Sequence, residues 1–340
     1  MEPSSRTCAP SSPARRRLLI GAAGAAGAAL GSLGGARALA ASGYPSKPLR
    51  VVIPYPPGGP TDIVGRIVAA ALAEKLGQSV VIDNRPGASG MIGADMVAKA
   101  APDGYVLLVN VSGQLVNPAL YANMSHDPLK DFRGITNLAS TPIQLVVSAN
   151  SPVRSVADLV ALVRSQPGRH NFASSSNGTP GHLAGEVFKA AAKLDATHIP
   201  YKGSAPALTD VIGGQVTYML DSMPSSISLV KGGKLRALAV TSDQRVAALP
   251  DVPTFAELDY PSVNLTTWYG MWAPAQTPPE LIARLYEVVN EVLRQPEVRT
   301  RLTEAQAMPV GDTPEHFDAY CRSEAMRYAD IVRLAGIRLQ

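Results

Sequence analysis

The sequence predicts an α/β protein of two lobes, each a sheet flanked by helices, with hinge crossovers where the chain passes between them. Three observations carry this. Short apolar runs alternate with helical patterns from Leu49 onward, the composition changes after Ala248, and the length exceeds what one core usually holds. Strands are expected at residues 49–53, 80–83, 106–111, 144–148, 171–174, 198–200, 216–220 and 235–241. Helices are expected at 63–76, 156–164, 183–194 and 205–212. Such alternation with short loops argues for parallel sheets covered on both faces. Pro206 falls in a first helical turn, where proline is tolerated, and Gly213-Gly214 closes that helix.

After Ala248 the prolines Pro250, Pro253 and Pro261 mark loops, and order returns in an alternating strand at 267–273. A long amphipathic helix follows at 278–294, with Leu281, Leu285, Val288, Val289 and Leu293 on one face, then a last helix at 315–335. This pattern allows the C-terminal third to return to the first lobe. The expected division is 44–145 with 266–340 as lobe one and 146–265 as lobe two. Trp268 and Trp272 are read as packing residues of the returning strand, with pocket contact as the alternative.

Residues 1–40 read as an export signal. Arg15-Arg16-Arg17 precede an uncharged run from Leu18 to Ala36, and small residues around Ala38 to Ala40 supply a cleavage site. Arg15-Arg16-Arg17-Leu18-Leu19 loosely fits a twin-arginine signal. The rival reading, a membrane anchor, needs a run richer in leucine. Cleavage near Ala40 removes five basic residues and one acidic residue, leaving 26 of each. The basic balance belongs to the leader, so nothing supports nucleic-acid binding. Cys321 is then the only cysteine, which excludes an internal disulfide and a cysteine-based metal site.

Two loops carry the functional reading. Tyr55-Pro56-Pro57-Gly58-Gly59-Pro60-Thr61-Asp62 and Ser174-Ser175-Ser176-Asn177-Gly178-Thr179-Pro180-Gly181-His182 each join a strand to a helix start. A helix start exposes unpaired N–H groups and about half a positive charge, so each loop is a candidate anion cradle. Two cradles on two lobes suit a protein that grips a small anion. Gly58, Gly59 and Gly178 allow close backbone approach, and Tyr55 is either a pocket wall or a loop-packing side chain. Thr61 and Asp62 are candidate helix caps or ligand contacts, Asp62 pairing with a ligand amino group if there is one. Ala88 and Ser89 before a helix near Met91, and Ser112 after a strand, are turns or further donors. Ser174, Ser175, Ser176 and Thr179 offer uncharged donors, and His182 is expected to orient the loop by hydrogen bonding. Lys202 is a source of long-range attraction or a solvated lysine. Asp221 should face the cleft, where it would hold a water, a hydroxyl or an ammonium. No histidine pair has a metal-binding spacing such as H-E-x-x-H, and no cofactor is expected.

The ordered series Tyr55 to Asp62, Asn84-Arg85-Pro86-Gly87-Ala88-Ser89-Gly90, Asn117-Pro118-Ala119-Leu120-Tyr121, Ser174 to Glu186, Pro200-Tyr201-Lys202-Gly203-Ser204-Ala205-Pro206-Ala207, Gly213-Gly214-Gln215-Val216, Asp221-Ser222, Gly233 to Thr241 and Leu249-Pro250-Asp251-Val252-Pro253-Thr254 resembles the Bug-type receptors. These are the extracytoplasmic solute-binding subunits of tripartite tricarboxylate transporters. The resemblance spans almost all of the chain beyond the leader. It implies a two-lobed, type II-like periplasmic binding fold that closes on a small carboxylate-bearing solute, a monomer in the periplasm and membrane transporter subunits as partners. It also implies a carboxylate held by loop amides, hydroxyls and waters without an arginine clamp. Ser176, where glycine is common, and Gly181, where serine is common, depart from the pattern.

The rival classes are weaker. G-x-S-x-G, G-x-x-x-x-G-K-[ST] and G-x-G-x-x-G are absent, which argues against hydrolase, nucleotide and dinucleotide chemistry. A receptor for a membrane sensor would use the same pocket and stays open.

Overall fold

The computed structural model describes residues 43–337, so the leader and its cleavage site near Ala40 lie outside the described residues. The apolar run Leu49–Ile53 is strand β1. Pro60–Leu76 forms helix α1, with Pro60 in the first turn and Gly77 left-handed at its end. Then come β2 (Val80–Asn84), α2 (Met91–Ala98), β3 (Val106–Val111), the single turn α3 (Asn117–Leu120) and β4 (Phe132–Ser148). Next along the chain are α4 (Val156–Ser165), β5 (His170–Ser174), α5 (Pro180–Ala191), β6 (Ala196–Pro200), α6 (Ser204–Ile212), β7 (Tyr218–Ser222), α7 (Met223–Lys231) and β8 (Leu235–Val240). The chain returns through β9 (Thr266–Pro274), α8 (Pro279–Arg294), α9 (Pro296–Glu304), β10 (Met308–Pro309) and α10 (Pro314–Leu334).

β4 serves two sheets. From Phe132 to Pro142 it pairs with β9, in a sheet ordered β2-β1-β3-β9-β4, and β10 adds to its other edge. From Ile143 onward it pairs with β7 and β8, and β5 and β6 extend that second sheet beyond β7. The predicted parallel pairing holds for β1 with β2 and β3, and for β5 with β6 and β7. The centre differs. β9 is antiparallel to β3 and β4, and β4 is antiparallel to β7 and β8. β4 runs straight on from one sheet into the other, and β9 comes back from the second sheet, so neither enters by the helical crossover that parallel pairing needs. The two crossings are tied at Thr241, whose hydroxyl accepts the Ile143 N–H at 3.0 Å and donates to the Leu265 carbonyl at 2.6 Å.

Trp268 on β9 packs with Trp272, Phe317 and Tyr320, and its indole donates to buried Glu324 at 3.2 Å, so both tryptophans are packing residues. Phe172, Phe188, Tyr218 and Phe255 fill the second sheet's core. The buried face of α8 is Ile282, Leu285, Val289, Val292 and Leu293, one step round from the predicted stripe. Cys321 is free and buried on α10. Among the described residues no helix is long and apolar enough to cross a membrane.

Candidate functional site

The loops that follow β1, β5, β6 and β7 meet where the two sheets face each other. They enclose a narrow cleft with about 30 Å³ of free space, room for a water or two as the loops stand. Four helices begin on its wall: α1 at Gly59-Pro60-Thr61, α5 at Thr179-Pro180-Gly181, α6 at Gly203-Ser204 and α7 at Ser222. In none of the four does the N-cap side chain make a capping bond. Of the other helices, α4 and α10 are capped, Ser155 accepting from the Asp158 N–H and Thr313 from the His316 N–H, while α2, α3, α8 and α9 are not. The cleft therefore gathers uncapped amide ends, each carrying partial positive charge. A proline in each first turn, at Pro60, Pro180, Pro206 and Pro224, fixes the backbone that presents them.

The lobes touch around this cleft. Gly113, after β3, lies so close to the Gly178 carbonyl that a Cβ there would sit 2.8 Å from the oxygen. Ser89 Oγ lies 3.5 Å from Ser176 Oγ across the same seam. Gly181 answers the family departure: a Cβ there would lie 2.3 Å from the Leu220 carbonyl, so α5 packs on β7 with no room for a side chain.

Of the residues singled out in the sequence, Tyr55, Gly59, Thr61, Ser175, Thr179 and Asp221 line the cleft. The others sit behind or beside it. Gly58 lines a neighbouring hollow with α6 and α7, and its N–H donates to Asp62 at 2.9 Å. Asp62 makes no cap. It accepts from Gly58, from Arg66 at 2.8 Å and from Asn84 at 2.9 Å, and is buried among its own lobe's donors. Burial alone would raise its carboxyl, but the Arg66, Gly58 and Asn84 bonds hold it below the ordinary range. That closes the predicted option of an Asp62 free to meet a ligand amine. Ala88 is exposed, and Ser89 pairs with the Tyr121 hydroxyl at 2.6 Å. Ser112 is fully buried against Tyr328 of α10, and Lys202 is exposed to solvent.

The serine loop is built differently from what its composition suggested. Ser174 and Thr179 donate their hydroxyls to the Ser176 carbonyl, at 3.0 and 2.8 Å, so both are spent on holding the loop. His182 orients the loop as expected, accepting the Gly178 N–H on Nδ1 at 3.1 Å. Its ring stacks on His198 at 4.0 Å, and His198 Nε2 meets Ser174 Oγ at 2.7 Å. Burial lowers both imidazoles, to about 4 for His182 and about 3 for His198, so both are neutral at physiological pH. Glu186 joins them, with ligand-capable atoms of all three within 4.8 Å of one another. The sequence reading missed this group because α5 and β6 bring its members together from separate segments. The Gly178 bond puts the neutral His182 proton on Nε2, so the cluster is organised to brace the loop and a cation would have to break that brace.

Asp221 was expected at the cleft and is there, buried, with Ser204 donating to Oδ1 at 3.0 Å and Ser225 to Oδ2 at 2.5 Å. Burial pushes its carboxyl up to about 6 against the pull of those serines. Among the described residues it is the only charged one on the cleft wall.

Three comparisons bear on this site. The family described as tripartite tricarboxylate transporter family receptor matches residues 64–337. Protein BugT of Bordetella pertussis is 36% identical over 309 residues, covering 90% of this chain and 95% of its own. Among solved structures, periplasmic binding protein BugD superposes with a TM-score of 0.84 at 33% identity, covering 87% of this chain and all of its own. A Rhodopseudomonas palustris protein with adipate gives 0.84 at 37% identity, over 87% of this chain and 99% of its own. MatC of the same organism with bound malate gives 0.81 at 33% identity, over 85% and 100%.

Proposed function

This chain belongs to the tripartite tricarboxylate transporter family of receptors, and we propose on that basis that it binds a small carboxylate-bearing solute between its lobes and delivers it to membrane transporter subunits. The observation that carries the reading is the set of four uncapped helix starts on one cleft wall that holds no cationic side chain. Such a wall recognises an anion by backbone amides and dipoles, without an ion pair. Relatives with adipate and malate support a carboxylate as that anion. Members of the family are periplasmic binding receptors, and no catalytic role is assigned to any residue here.

In this reading the lobes are 44–145 with 266–340, and 146–265. The change of partners along β4 at Pro142–Ile143 and the Thr241 tie supply the hinge. Solute lands on the α1 start or on the α5, α6 and α7 starts, then favours closure by bonding the opposite lobe. It shifts that equilibrium only by its preference for the closed state.

The test is a thermal-shift panel of carboxylates and their amides, including adipate and malate. A solute at a hundredfold excess over Kd stabilises by about 2.7 kcal/mol, so a binding acid should raise the melting temperature and its amide should not. Gly59→Leu sharpens the result. Gly59 has extended backbone geometry and space for a Cβ, so the variant should fold yet lose the shift by filling the cleft. Equal shifts for acids and amides would sink the carboxylate assignment.

A further inference from the structure

We propose that Asp221 takes up one proton when the cleft closes on a carboxylate solute, its carboxyl then donating a hydrogen bond to the bound anion. The inference rests on the receptor reading above and deepens it by naming the solute's charge partner. An anion entering this cleft meets a wall whose only charge is already negative. Two carboxylates sharing a small dry site cannot both stay ionised, and one must hold a proton. Asp221 is the group placed to hold it. Its side chain is buried at the end of β7, its two oxygens have serine donors, and among the described residues no ion pair includes it.

Among the described residues, no element around Asp221 supplies a compensating charge on the cleft wall. Gln144, its neighbour on β4, is neutral and bonds Ser226 of α7 at 2.8 Å. Tyr269 of β9 and Tyr55 after β1 are phenols that burial pushes up, so both stay neutral. α6 contributes Ser204, α7 contributes Ser225 and Ser226, and α5 contributes the Gly181 backbone. The charges in the first two turns of α1 are Asp62 and Arg66, which are spent on each other, and Glu74 and Lys75 lie at its far end. Lys202 is exposed and off the wall, and Lys234, also exposed, lines the neighbouring hollow past Ser225. The proton comes from solvent, and the bond formed is O–H on Asp221 pointing at the solute oxygen.

The sign follows from the free carboxyl, which titrates at about 6. Below that pH the proton is already present and affinity is flat. Above it each solute brings in about one proton, and affinity falls about tenfold per pH unit. His182 and His198, lowered by burial to about 4 and about 3, add nothing in that window.

Calorimetric titration of the purified protein with acetate, adipate, malate and aspartate, in phosphate and in Tris at pH 7.5, reads proton uptake directly. Kd measured from pH 5 to 8 reads the slope. The expected result is about one proton per solute, a flat Kd below pH 6 and about tenfold weakening between pH 7 and 8. Asp221→Asn should abolish the uptake and the slope, and bind at least tenfold more tightly than the wild type at pH 8. Carboxylate binding with no proton uptake and a flat Kd across pH 6 to 8 overturns the proposal and leaves the receptor reading standing. Aspartate that binds without proton uptake, and loses its affinity in Asp221→Asn, overturns it in favour of an ammonium partner. A protein that binds none of these carboxylates overturns the proposal and the receptor reading together.

Discussion

Two buried aspartates sit near the starts of α1 and α7, and they titrate in opposite directions. Asp62 is locked to Arg66, Asn84 and the Gly58 N–H, all within its own lobe, and its carboxyl is held low. Asp221 has serine hydroxyls and the Ser222 backbone for company but no cation, lines the cleft, and is pushed up to about 6. Burial is common to both. The Arg66 cation beside Asp62, and the deeper burial of Asp221 without one, decide the difference. The teaching is that a buried acid with a full internal complement supports a loop, whereas one left short of a counter-charge awaits something from outside.

The largest effect should come from removing the satisfied partner. Asp62→Ala strands the Gly58 N–H and the Asn84 amide, at a cost on the order of 3 kcal/mol in urea unfolding at pH 7. With a low folded pKa, the stability that Asp62 contributes is present above the unfolded carboxyl range and is lost as the solution is acidified through the folded pKa. Unfolding curves of wild type and variant should therefore converge towards acid pH. Asp221 has the opposite sign. Its folded pKa of about 6 lies above the ordinary carboxylate range, so the ionised form costs about 3 kcal/mol, absent below pH 4 and complete above pH 6. Asp221→Asn should accordingly raise ligand-free stability by about 2 kcal/mol at pH 8 and by almost nothing at pH 4. A variant less stable than wild type at pH 8 would break the comparison. The smallest effect is Ser225→Ala, which deletes one donor to the ionised carboxyl, for about 1 kcal/mol at pH 8 and less at pH 4, read by the same unfolding curves.

Much of the fold was legible in the sequence because burial on both faces leaves continuous apolar runs. β1 and β3 fall where the pattern puts them. The first half of β4 was not legible. It carries Thr136, Asn137, Ser140 and Thr141, and the first two are held by Asp312, from a segment 175 residues or more away. α7 hid for a related reason: Pro224, Ser225, Ser226 and Ser228 are weak helix formers whose place is set by tertiary contacts. At the site, composition located both glycine loops and the helices they lead into, α1 and α5, but not the start of α7. It could not tell Gly58 from Gly59, nor see that Ser174 and Thr179 spend their hydroxyls inside their own loop. Which neighbour each group meets depends on packing: Asn84 reaches Asp62 from β2, and His198 reaches His182 from β6.

The position of β9 between β3 and β4 also sets an order in time. The first three strands and β4 are made long before Thr266–Pro274, yet the sheet they share is joined only through that late arrival. Until it arrives, the edges of β3 and β4 stay unpaired along that seam. The second sheet has all its strands by Val240, so it can mature while the first waits. The strand order thus lets the second sheet complete its pairing while the first still lacks its central strand, and the open edges of β3 and β4 are the ones that invite strand-to-strand association.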